Sequence, residues 1–219
     1  MSGVAAWQRS LHAECEAVTK AVLWDLGGVI LRTEDRRPRA AWEARLGLQE
    51  GELDRLVFGG EMGRRAALGQ AEVEQVWQWV GEQLGLAPDN LERLRHDFWR
   101  GDRLDGELTQ FIRGLRRNHR SALLSNAWPG MRQMIEGEWA ISDCFDQLFI
   151  SAELGLAKPD PRIFRLALER LGIPAVQAIF VDDFSENVEA AIALGLHAIR
   201  FVTPGQTMQE VRQQLAAGA

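Results

Sequence analysis

Five short runs dominated by apolar residues recur along the chain: AVLW (21–24), SALLS (121–125), QLFI (147–150), AIFV (178–181) and HAIRF (197–201). Runs of this length without polar alternation read as strands buried on both faces, and such strands occur in parallel sheets joined by helical crossovers. Amphipathic helical patterns lie between most of them, so the alternation predicts a doubly wound α/β fold. Two of the later helices carry their own punctuation. Asp160 and Pro161 supply an N-cap and a first helical residue, Phe164, Leu168 and Leu171 an apolar stripe, and Gly172 a stop. The helix from about Ser185 to Leu194 stops in the same way at Gly195.

Between Thr33 and about Leu104 the strand signals vanish and helical patterns run one after another. They are carried by Trp42 and Leu46, by Leu53, Leu56 and Val57, by Val73, Val76, Trp77, Val80 and Leu84, and by Leu91, Leu94 and Phe98. This predicts an all-helical cap over residues 34–104, hinged near Thr33 and near Asp105, above an α/β core formed by 20–33 and 105–219. Open α/β sheets bind ligands at the carboxyl ends of their strands, which is where such a cap would close. Residues 1–19 show only a scattered helical pattern (Trp7, Leu11, Val18) and read as an extension ahead of the core.

With 219 residues, 46% of them hydrophobic, the chain can bury one sizeable core and a smaller module, as one enzyme-sized unit. Its 25 basic against 31 acidic residues disfavour non-specific binding to nucleic acid or an anionic membrane, so a small-molecule partner is expected. Cys15 and Cys144 match no metal-ligand spacing and read as packing residues in a reducing compartment. The eight tryptophans read as core and cap packing rather than a cofactor box. No run approaches the ~20 apolar residues of a membrane span, and a cytoplasmic location is expected.

Four polar features fall at or just after a predicted strand end: Asp25 with Gly27, Ser125 with Asn126, Lys158 with Pro159, and Asp182 with Asp183. Singly each has an ordinary reading as a turn residue, a solvated cation or a helix-start cluster. Together LWDLGGVI, ALLSNA, GLAKPDPRIF and IFVDDFSENV resemble, in order, the four motifs of the haloacid dehalogenase-like (HAD) superfamily. The resemblance covers residues 21 to 201, makes the helical insert similar to the family's C1-type cap, and brings DLGGV near a subgroup that includes sugar-phosphate phosphatases. It implies Asp25 as a nucleophile that becomes an aspartyl-phosphate. It implies Lys158 as shield and phosphoryl ligand, and Ser125 with the Asn126 amide as hydrogen-bond donors to the transferred group. Mg2+ would be held by Asp25, the Gly27 carbonyl and Asp183, with Asp182 a second ligand or outer partner and Asn187 orienting a carboxylate or a water. The implied substrate is a small phosphorylated metabolite.

One position departs from the motif. Phosphatases of this family usually carry a second aspartate two residues after the nucleophile as general acid and base, a role worth roughly 10²- to 10⁴-fold, and here that position is Gly27. Glu34 and Asp35 lie further along the loop as possible replacements or as an ordinary solvated pair. Two other readings stay open: a catalytically silent domain that binds a phosphorylated ligand or a protein, and a metal-independent dehalogenase, against which the Asp182–Asp183 pair weighs. Arg64 and Arg65, in a GRRAALG turn, would either face an anionic substrate or be solvated surface cations.

Overall fold

The computed structural model describes residues 19–217. The expected N-terminal extension, with Trp7, Leu11, Cys15 and Val18, lies outside the described residues apart from Thr19. Among the described residues seven strands occur in chain order: β1 (Ala21–Trp24), β2 (Leu31–Thr33), β3 (Asp102–Leu104), β4 (Arg120–Ser125), β5 (Gln147–Ile150), β6 (Ala178–Asp182) and β7 (His197–Arg200). The five apolar runs supply one sheet of order β5-β4-β1-β6-β7 in which every pair is parallel. This is the expected doubly wound α/β core.

The strands are buried on both faces because alternate residues feed different layers. Val22, Trp24, Leu123, Ile179 and Val181 pack with Leu108 and Ile112 of helix Gly106–Leu115 and with Met208 and Val211 of helix Pro204–Ala217. Ala21, Leu23, Ala122, Leu124 and Phe180 pack on the other side with Ile163, Phe164, Ala167 and Leu171 of helix Pro161–Leu171. That helix starts at the Asp160 N-cap, whose carboxylate accepts from the Arg162 amide, and ends at a left-handed Gly172. Each fully buried Leu or Phe contributes about 1.5–3 kcal/mol of transfer free energy.

β1 lies at the centre, and the crossovers run from it toward β4 and β5 on one side and β6 and β7 on the other. Its end pairs Trp24 with Leu123 of β4 and with Val181 of β6. The residues that follow all three strands therefore emerge together at the point where the winding reverses, the usual ligand-binding crevice of such sheets.

Between β2 and β3 the helices Arg37–Leu46, Glu52–Gly59, Glu61–Ala67, Val73–Leu84 and Pro88–Trp99 build a separate apolar cluster. Every apolar position singled out in the helical stretch belongs to this cluster or packs against it. Two local expectations need correction. The stretch 34–104 is not free of strands, since Asp102–Leu104 pairs antiparallel with Leu31–Thr33. This three-residue ribbon has no apolar alternation to announce it and is held by polar partners, Thr33 Oγ1 donating to Asp102 (2.7 Å) and Arg32 to Asp105 (2.7 Å). Arg64 and Arg65 lie in helix Glu61–Ala67 rather than in a turn. Gly63 is there for contact, because a Cβ would stand 2.2 Å from the Val57 carbonyl oxygen.

Arg39 ties this helical block to the ribbon. It is buried, donates through Nε to the Phe98 carbonyl (2.8 Å) and through Nη2 to both oxygens of Asp102 (2.7 and 2.9 Å), and pairs with Asp54. Its guanidinium lies 4.0 Å from the Phe98 ring centroid. No described helix is long and apolar enough to cross a membrane.

Candidate active site

Asp25 is the first residue beyond β1, and its amide still donates to Val181 of β6 (2.9 Å), so the sheet itself fixes its position. The chain then turns sharply. Leu26 O accepts from the amides of Ile30 and Leu31, and Gly28 adopts φ 79°. Gly28 is required twice over: its backbone is left-handed, and a Cβ there would lie 2.2 Å from an Asp183 carboxylate oxygen. The second glycine of the motif thus lets the first loop touch the fourth. Gly27 differs in both respects, being exposed, outside the positive-φ set, and with nothing within 4 Å of the place its Cβ would occupy.

Lys158 reaches the same point from the loop before helix Pro161–Leu171. Its Nζ lies 2.7 Å from Asp25 Oδ1 and 2.6 Å from Asp182 Oδ2, with the side chain 1% exposed. Asn126 positions it: the Asn126 side chain accepts from the Lys158 amide (2.8 Å) and donates to the Lys158 carbonyl (2.8 Å). The Asn126 side chain therefore brackets main chain, and of its two amides the main-chain N–H is the one left for a ligand. Ser125 closes β4 and is buried beside it. Ser151, a residue the sequence did not single out, steadies this loop by exchanging hydrogen bonds with Ala127 (3.0 and 3.2 Å).

The adjacent carboxylates divide. Asp182 is fully buried and fully engaged, by Lys158, by the Phe184 amide (2.9 Å) and by the Asn187 side-chain amide at both oxygens (3.0 and 3.1 Å). Asp183 Oδ1 is buried without a hydrogen-bond partner among the described residues. One oxygen from each of Asp25, Asp182 and Asp183 lies within 4.8 Å of the others. Burial pushes the Asp25 carboxyl up to about 7 against the pull of Lys158, with Asp182 and Asp183 adding to the rise. Burial, then repulsion from Asp182, raises Asp183 to about 6. The buried Lys158 ammonium pairs with Asp25 and Asp182, and Lys158 and Arg200 pull only weakly on Asp183, so three clustered carboxylates outnumber the one cation in contact with them. An orphaned buried oxygen, an all-oxygen donor set and that charge deficit fit a hard divalent cation such as Mg2+.

The other candidates lie apart. Asp35 is gripped by the Arg37 side chain (2.8 Å) and amide (3.0 Å), which pulls its carboxyl down to about 2. It lines a cleft of about 900 Å³ between helices Arg37–Leu46 and Pro88–Trp99, to which none of the strand-end residues contributes. Glu34 is half exposed and faces Arg32 at 3.7 Å. Arg64 donates to the Gly59 carbonyl, and Arg65 lies 3.9 Å from the Met62 sulfur, both exposed. Asp35 is engaged by Arg37 in a cleft to which no strand-end residue contributes, so the geometry does not set it beside Asp25.

The chain is 27% identical over 200 residues to a sesquiterpene phosphatase of Aspergillus oryzae, a match covering 89% of this chain and 95% of that protein. It is 25% identical over 191 residues to a D-ribitol-5-phosphate phosphatase of Bacteroides thetaiotaomicron, covering 83% and 91%. Several other curated relatives are longer, and the chain spans about half of their length or less. Its fold superposes with a TM-score of 0.67 on a HAD family enzyme of Bacteroides thetaiotaomicron solved with magnesium and inorganic phosphate, at 23% identity and covering 83% and 93% of the two chains. A family model for haloacid dehalogenase-like hydrolases matches residues 19–195, and the chain belongs to that family.

Proposed function

We propose that this protein is a Mg2+-dependent phosphatase that removes the phosphoryl group from a small phosphorylated metabolite through Asp25. The observation that carries the reading is the cation-deficient carboxylate cluster around Lys158 at the winding reversal of the sheet. Mg2+, held by Asp25, the Gly27 carbonyl and Asp183, would supply the positive charge that lets a carboxylate approach a phosphate dianion.

The chain's own residues do the rest. Lys158 holds one Asp25 oxygen and leaves the other to attack phosphorus, forming an aspartyl-phosphate as the bond to the leaving oxygen breaks. The Ser125 hydroxyl and the Asn126 main-chain amide donate to the phosphoryl oxygens as their charge grows. Asp182, held by Asn187 and the Phe184 amide, keeps Lys158 aimed. Water then attacks the aspartyl-phosphate and returns Asp25. With glycine at position 27 no carboxyl protonates the leaving oxygen, so the rate depends on how stable the departing group is as an anion. The helices over 34–104, hinged at the β2–β3 ribbon, form the cap that excludes bulk water from this step.

Phosphate release from a panel of esters, with and without Mg2+ and with Asp25→Asn as control, tests this reading. Activity that survives chelation, or that survives Asp25→Asn, overturns it. The bare Gly27 favours one alternative, a silent domain that binds a phosphorylated ligand. Phosphate binding with no turnover of any ester, in Gly27→Asp as well as in the natural protein, would select that alternative.

A further inference from the structure

Aromatic side chains are unevenly exposed in this molecule. Among the described residues, the aromatics classed as exposed are Phe58 (44%), Trp99 (37%) and Phe184 (62%). Phe184 belongs to the loop that carries Asp183, and Phe58 and Trp99 pack on the loop that follows Ser125. Phe184 directly follows Asp183. Phe58 and Trp99 pack on Trp128, with ring centroids 5.5 and 6.2 Å away, and on each other at 5.8 Å. Trp128 stands three residues after Ser125 in the same loop, a span of at most about 11 Å. Its indole N–H donates to the Gly63 carbonyl (3.0 Å), which pins the helical block to that loop and fixes the rings where they stand. Open Phe and Trp surface is unfavourable in water, and a cluster of it marks a site that takes an apolar partner.

We infer that Phe58, Trp99 and Phe184 form an aromatic rim that receives the organic part of the substrate, which is therefore an apolar group at least the size of an aromatic ring carried on a phosphate. The inference rests on the phosphatase reading for the place of the phosphate and adds what is joined to it. Two observations favour this occupant over a second copy of the chain. The rim flanks loops from the two strand ends that supply Ser125 and Asp183, so a molecule anchored at the carboxylate cluster is held against it. The rings are also braced by Phe98 and Trp77 behind them, at 4.9 and 6.3 Å from Trp99, as a preformed wall. A sugar or amino-acid phosphate would leave that wall wet and its own hydroxyl or charged groups without partners.

The test uses two non-hydrolysable probes, methylphosphonate and naphthylmethylphosphonate, titrated calorimetrically into the full chain with Mg2+. The expected result is at least ~10-fold tighter binding of the naphthyl probe, falling by about 5- to 10-fold in Phe58→Ala and in Trp99→Ala while methylphosphonate binding holds. Melting curves show that each variant is folded, and the milder Phe58→Leu serves if the alanine variant is not. Equal affinity for the two probes, no binding of either, or a preference that survives both substitutions overturns the inference. So does a dimer in sedimentation that dissociates in Phe58→Ala, which would assign the rim to a second copy. Hydrolysis of 4-nitrophenyl phosphate by the same preparation reports on the phosphatase reading separately.

Discussion

Arg39 and Lys158 are both buried cations held by aspartates, and they have opposite surroundings. Around Arg39 the account closes: Arg36 and Arg39 face Asp54 and Asp102, and the Phe98 carbonyl takes Nε. Around Lys158 it stays open, with three carboxylates, one ammonium in contact and an Asp183 oxygen that no described residue satisfies. A buried ion pair does not by itself favour folding, since desolvation offsets much of the attraction. The balanced cluster is therefore read as positioning, joining three helices to the ribbon. The unbalanced one stores repulsion that protonation or an added cation relieves, a pattern found at functional sites.

The sharpest way to break this contrast is Asp25→Asn. If the Lys158 cluster is functional, turnover should fall by about 10⁴-fold while the melting temperature in the absence of metal holds or rises, because one repelling charge is gone. A large loss of stability would put the cluster in the same class as Arg39. Arg39→Ala should do the reverse, lowering unfolding free energy in urea by about 3–5 kcal/mol because the Phe98 carbonyl, Asp54 and partly buried Asp102 lose their shared buried cation. A loss below 1 kcal/mol would remove Arg39 from its assigned role.

The next test varies pH. Asp25 and Asp183 are raised to about 7 and about 6, above the ordinary carboxylate values near 4, so without metal the folded state holds more protons than the unfolded one. Their cost to stability is absent below pH ~4 and grows as pH rises through ~7. Mg2+ competes with those protons, so the Mg2+-induced rise in melting temperature should be larger at pH 8 than at pH 5, and Asp183→Asn should abolish most of it. An equal shift at both pH values counts against the site.

The smallest effect separates two neighbouring glycines. Gly27→Asp enters open space and should speed hydrolysis of alkyl phosphates by ~10- to 100-fold, with less change in the burst of an aryl leaving group. Gly28→Ala should instead weaken Mg2+ binding, since its Cβ would displace Asp183. Similar consequences from both variants would deny them their separate roles.

The places where expectation and structure part company share a cause. The ribbon strand Asp102–Leu104 is three polar-flanked residues whose pairing exists only because Thr33 and Arg32 wait on the opposite side. Asp182 and Asp183 look alike in the chain, and Asn126 looks like a free ligand-binding amide. Neither difference can be read locally, because each depends on a partner from 24 to 32 residues away. Arg39 and Ser151 escaped notice for the same reason, their surroundings being set by Asp102 and Ala127.

By itself the sequence determined the five core strands, the two helices punctuated by Asp160–Gly172 and Ser185–Gly195, and the strand-end motifs, because burial on two faces and capping are written in neighbouring residues. Only the tertiary structure decided that Lys158 pairs with Asp25 and Asp182 and not with Asp183. It also decided that Gly28 rather than Gly27 is sterically required, and that Phe58 and Trp99 pack on Trp128. Those outcomes are set by what four separate loops bring within a few ångströms of one another, and electrostatic balance and steric room are properties of that meeting point rather than of any segment.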